Sequence, residues 1–335
     1  MLPPLSLRQS WAAIVFWSVF SGSVFAQNRI ENATRQLEQT DLRARLKTPA
    51  QQEITSLYAD EDKDVGPQNV IIQKQRHQWI EASTDVQFGS TSNVSLTETG
   101  KTESSTMVST VQVAVTPPNW KIPSGELSAR AGFRYQKFNY GTATGGSEST
   151  INDSDFDIST LFVQWRYLYR DKWLATLGLD HNRLLTSTDG SYTEFYSELA
   201  PSISLQRSFE LTEKSALAAN IGVTGHISYL DPNNTTVTSD YYDRVDQSAT
   251  VSYIRELLPR FVGQTFYRAQ ATQYTRNHVR KDVTHSLGVV LSYGITKDVS
   301  VRLFANFEAR DSTDVAIADY HKVDTGLGTS LRIQF

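Results

Sequence analysis

The strongest constraint in this sequence is a two-residue period that holds from residue 78 to the end of the chain. Over 323–335 the odd positions read Val323, Thr325, Leu327, Thr329, Leu331, Ile333 and Phe335, and the even ones read Asp324, Gly326, Gly328, Ser330, Arg332 and Gln334. The same split runs through 299–309, where Val299, Val301, Leu303, Ala305 and Phe307 oppose Ser300, Arg302, Asn306 and Glu308. It recurs in 217–229, where Leu217, Ala219, Ile221, Val223 and Ile227 oppose Asn220, Thr224, His226 and Ser228. Successive side chains of a strand point to opposite faces, so each segment predicts a strand with one apolar and one polar side. Twelve such segments begin near residues 78, 104, 125, 155, 173, 191, 215, 243, 259, 282, 298 and 322, an even number.

The links between them alternate in length. Tight ones fall at 170–172, 211–214, 257–259 and 296–298; longer ones rich in Gly, Ser, Thr, Asn and Asp fall at 95–103, 141–154, 231–242, 275–281 and 311–321. Two links depart from this: 186–190 is short for its side, and 116–125, with Pro117, Pro118 and Pro123, is long for its side. A soluble sandwich also alternates, so the period alone does not choose an architecture. Strand length does, because segments of about 11 to 16 residues exceed the ~5 to 6 usual in globular sheets and reach the ~9 to 11 that cross a bilayer at a tilt. Aromatic residues near the ends of apolar faces, such as Trp165, Tyr167, Tyr169, Tyr253 and Phe261, suit a headgroup girdle.

The amino-terminal part reads differently. Residues 1–26 carry Arg8, the apolar run 11–20 and the small-residue ending Val24-Phe25-Ala26, the pattern of a secretory signal. Residues 27–75 are polar and helix-prone. Ile30, Leu37, Leu42 and Leu46 form a weak apolar stripe, and Thr48, Pro49 and Gln51 mark the start of a second short helix. Asp60, Asp62 and Asp64 have the alternate spacing of a calcium loop, but Val65 and Ile71 stand where glycine and glutamate are needed, which leaves a solvated acidic linker. The expected organisation is a signal at 1–26, a polar segment at 27–75 and a strand-rich part at 76–335.

A signal, an even set of antiparallel strands with tight links on one side, and the ending Leu327-Gly328-Thr329-Ser330-Leu331-Arg332-Ile333-Gln334-Phe335 together resemble a Gram-negative outer-membrane β-barrel. The resemblance implies an all-β, antiparallel, up-and-down transmembrane barrel at 76–335, preceded by a short helical segment at 27–75 that lies in the periplasm or plugs the barrel. It implies outer-membrane lipid as surroundings, and the barrel-assembly machinery as a partner that reads Leu327, Leu331, Ile333 and Phe335. A closed barrel also satisfies every backbone group within hydrocarbon.

With the apolar faces turned to lipid, parity sends Glu81, Asp85, Arg130, Arg134, Gln136, Arg166, Asp180, Glu194, Glu198, Arg244, Asp246, Gln264, Arg268, Arg302, Glu308, Arg310, Asp324 and Arg332 to the lumen. Both signs are present, which fits either a salt-bridged, filled interior or a charged constriction that passes small polar solutes. Outer-membrane lipid hydrolases place a His and a Ser two apart on a strand, as in His226-Ile227-Ser228. Here both share the polar parity, and Tyr229 and Leu230 replace the Ser-Asn-Gly continuation of the phospholipase family.

Other chemistries are excluded or unsupported. Absence of cysteine rules out disulfides, thiolate zinc, iron–sulfur clusters and a Cys nucleophile, and 32 Lys plus Arg against 36 Asp plus Glu gives no basic field for nucleic acid. His77, His181, His285 and His321 have no metal-ligand spacing, and no glycine loop cradles phosphate, so neither metal nor cofactor is expected. The leading expectation is a non-enzymatic barrel serving as a narrow passive pore, with a structural or adhesive barrel acting through its loops, or a lipid hydrolase, as rivals.

Overall fold

The computed structural model describes residues 77–141, 155–170, 172–188, 191–230, 242–276, 280–296, 298–314 and 317–334. The signal, the segment 27–75, much of the longer links and Phe335 lie outside the described residues.

Thirteen strands follow in chain order: β1 (Ile80–Thr91), β2 (Ser104–Val115), β3 (Trp120–Ile122), β4 (Gly125–Tyr140), β5 (Phe156–Tyr169), β6 (Trp173–Thr188), β7 (Ser191–Thr212), β8 (Ser215–Leu230), β9 (Arg244–Leu258), β10 (Phe261–Tyr274), β11 (Lys281–Gly294), β12 (Val299–Ser312) and β13 (Tyr320–Gln334). Twelve of them form the wall, each antiparallel to its neighbours. β2 pairs with β4, and β13 returns to β1, so the sheet closes. Closure removes both sheet edges, the only way a sheet can leave no unpaired backbone in lipid. β3 is additional. It lies in the proline-bearing link expected at 116–125 and folds back on the start of β4, with Trp120 opposite Leu127.

The alternation of the sequence becomes an inside-out barrel. Ile221 is 60% exposed and Leu303 54%, whereas Arg244 on the other face is 1% exposed. The outward face is the apolar one, as a lipid surround requires. The tight links explain themselves locally. Lys172 N donates to Tyr169 O across the β5–β6 turn, with φ of 47° at Arg170. Pro259 and Arg260 join the paired Leu258 and Phe261, and a proline followed by a residue at φ 66° is the pattern of a type II turn.

The register shifts at three places. Two, at Phe261/Val262 and at Glu210/Thr212, sit beside tight links. At the third, a bulge between Leu184 and Leu185 sets Leu184 opposite Tyr196 but Leu185 opposite Glu194. An extra residue in one strand flips the face of everything beyond it. Glu194, expected in the lumen, therefore turns outward and pairs with the exposed Arg183 at 2.7 Å.

Candidate functional site

The inward face of the barrel gathers charge at two levels. In the half nearer the tight links, Glu81 on β1 receives both Arg130 from β4 and Arg332 from β13. Arg130 has to pass over β2, where the residue opposite Glu81 is the small Ala114. Asp85 on β1 is gripped by both terminal nitrogens of Arg302, each at 2.7 Å. Arg302 belongs to β12 and must cross β13 to get there. It does so at its cross-strand partner Gly328, where a Cβ would approach the guanidinium to 3.0–3.1 Å. A bidentate guanidinium–carboxylate pair such as Arg302 with Asp85 is among the stronger polar contacts, and together with the shared Glu81 it fastens the strands on either side of the closure.

Between the levels, the Arg130 and Arg134 guanidinium groups stand 5.5 and 5.8 Å from the centre of the Phe162 ring, and Arg134 lies 3.8 Å from Asp180. Arg166 donates to Gln164 at 3.1 Å and Arg268 to Gln270 at 2.9 Å, while Gln264 is buried.

The half nearer the longer links centres on Glu198. Its carboxylate accepts from Asn182 at 2.9 Å and from the Tyr196 hydroxyl at 3.0 Å, and it faces His226 Nδ1 at 3.0 Å. The other ring nitrogen of His226 faces Asp246 at 3.1 Å, so both nitrogens are turned to carboxylates. Arg244 stands 3.8 Å from Glu198 and 3.6 Å from Asp246. Around the barrel, Arg280 pairs with Asp282 at 2.7 Å, and Tyr320 donates to Glu308 at 2.6 Å. Lys322 lies 3.2 Å from Asp324, and Arg310 stands 4.5 Å over the Tyr320 ring. Glu198, Arg244 and Glu308 are fully buried.

Parity had a further signal to give. Asp282 and Lys322 stand at the starts of their segments and share the polar face, and Arg280 continues that face one step before the first of them. The inward aromatics, Phe138, Phe156, Phe162, Tyr196, Phe266, Tyr274 and Tyr320, carry no such signal, because apolar residues on a polar face look like noise. Phe162, Phe266 and Phe304 lie against the cross-strand glycines Gly132, Gly288 and Gly326, which leave room for the rings along the wall.

No family model matches the sequence, and no curated protein matches it in sequence. Solved structures do match in shape. An outer membrane channel from Pseudomonas putida F1 superposes with a TM-score of 0.51 at 9% identity, covering 80% of this chain and all (100%) of the other. The fold is that of an outer-membrane β-barrel. The β domain of the Bordetella autotransporter BrkA also aligns (TM-score 0.46, 14% identity, 77% of this chain and 100% of that one), as does the NanC porin (TM-score 0.42, 12% identity, 74% and 98%).

Within this outer-membrane barrel, His226 and Ser228 do not act on each other. Both nitrogens of His226 face carboxylates, and the Ser228 hydroxyl donates to Asp243 at 3.0 Å. A histidine so placed has no lone pair aimed at the serine to take its proton. Among the described residues no cluster of His, Asp and Glu has the makings of a metal site.

Proposed function

We propose that this barrel spans the bacterial outer membrane as a narrow passive channel for small polar solutes and has no enzymatic role, with its tight links and the segment 27–75 on the periplasmic side. The observation that carries the reading is the inside-out distribution of charge. Paired acids and bases, from Asp85 with Arg302 to Asp246 with His226, line the inward face of a closed wall whose outward face is apolar. A lining of both signs, fixed in pairs, presents a hydrated path without a strong field of either sign, which favours selection by size over selection by charge.

The test is conductance. Purified protein in a planar bilayer is expected to give discrete single-channel steps of small amplitude. Correctly folded, membrane-inserted protein that gives no steps under applied voltage overturns the channel. One observation favours a second reading. The complete burial of Glu198, Arg244 and Glu308 fits a barrel sealed by its own side chains, which would then act through its longer links, with 141–154 and 231–242 the longest polar ones in sequence. Electrical silence together with loop-dependent adhesion would support that reading.

A further inference from the structure

We propose that the outward face of β5, β6 and β7, beside the tight links, carries a binding site for the phosphate of a membrane phospholipid, centred on Arg207. Tyr169, Trp173 and Arg207 stand in one cross-strand row, each directly opposite the next, and their parity turns them toward lipid. The Arg207 guanidinium lies 4.8 Å from the centre of the Trp173 ring and 4.6 Å from that of Phe209. Its side chain has no hydrogen bond or ion pair to any described residue, and its Nε is buried without a partner.

Two aromatic faces offset part of the cost of holding a cation against hydrocarbon, but they use none of its N–H donors. Those donors form a planar fork that matches two oxygens of a phosphate. At the depth where Trp and Tyr girdle a membrane protein, the abundant acceptor of that shape is the lipid headgroup. The surrounding charge agrees. On the outward face of the tight-link half of the twelve wall strands, the charged side chains are Arg207 and Arg255, with no carboxylate among the described residues. Two more cations flank Arg207. The carbonyl of Lys172 accepts from Ser208 N at 3.4 Å, which sets that exposed lysine beside Arg207, and the Arg170 guanidinium lies 5.0 Å over the Tyr169 ring. Ordinary lipid solvation of an apolar wall calls for none of this arrangement.

The inference rests on the membrane reading above, and the experiment separates the two. The full-length barrel is first inserted into vesicles, then extracted in detergent and titrated with dioleoylphosphatidylglycerol, with bound lipid counted by native mass spectrometry. Wild type is expected to hold the lipid about tenfold more tightly than Arg207→Gln, with Arg255→Gln matching wild type. Dioleoylglycerol, which has the chains without the phosphate, should bind wild type and Arg207→Gln alike. Equal retention of phosphatidylglycerol by wild type and Arg207→Gln overturns the site. Displacement of the lipid by millimolar inorganic phosphate overturns it as well, because the chains would then add nothing to recognition. Should Arg207→Gln fail to fold, Arg207→Lys takes its place: it keeps the charge and loses the fork, so weaker retention supports the site and unchanged retention overturns it. Failure of the wild type to enter vesicles defeats the membrane reading, and the lipid site with it.

Discussion

At the scale of single residues, the interior is held by charges paired both along one strand, as Arg244 with Asp246, and between strands, as Arg302 with Asp85. Arg244 is the critical case, since its guanidinium stands between Glu198 and Asp246 with all three groups buried. Removing one member of such a set leaves uncompensated charge, a larger loss than the set's net contribution to stability. Arg244→Met is therefore expected to destabilise the barrel by about 3 to 5 kcal/mol in urea titrations in vesicles. A loss below about 1 kcal/mol would mean that water screens the cluster as it screens a surface pair. The sequence made these residues visible as polar members of a strand. It could not pair them, because Arg302 reaches Asp85 only over Gly328, a coincidence of three strands that no spacing along the chain encodes.

At the scale of elements, each strand is a two-faced ribbon and parity carries its meaning. On β12, Leu303 is 54% exposed and lies opposite Leu291 and Leu327 on the outward face, whereas Ser300 bonds to Ser330 on the inward one. Leu303→Arg is expected to destabilise by about 2 to 4 kcal/mol if the position lies near the bilayer midplane, and Ser300→Arg by clearly less, because only the first puts a charge into lipid. Folding titrations of the two variants in the same vesicles check this, and the reverse order would mean a register wrong by one residue. The strands themselves were legible, with each wall strand starting within about two residues of its expected place. The bulge after Leu184 was not legible, since nothing local marks the extra residue that turns Glu194 outward.

At the scale of the whole molecule, closure between β1 and β13 makes the last strand indispensable. Deleting residues 331–335 strips β13 of the partners of Glu81, Ala82, Ser83 and Thr84. It also removes Leu331, Ile333 and Phe335 from the expected assembly signal. The truncated protein is expected to accumulate in the periplasm and be degraded, seen as loss of the heat-modifiable species from outer-membrane fractions; undiminished insertion would count against both roles. A second expectation concerns the polar segment before the barrel. Deleting residues 27–64 should leave single-channel conductance unchanged if that segment lies in the periplasm. A marked rise would identify it as a plug, with the acidic stretch 60–64 as its contact to lumenal arginines.

The sequence by itself determined the twelve-strand wall, the alternation of its links and the polarity of its two faces, because strand geometry converts a period of two directly into sides. Which side is the interior follows from closure and lipid together, and that much was also legible. Only the tertiary structure decided which charges meet, which aromatics lie on which glycines, and that Arg207 stands between two rings facing lipid. Those contacts join residues on different strands across a curved wall, and their partners are fixed by register, shear and bulges, which depend on every strand at once.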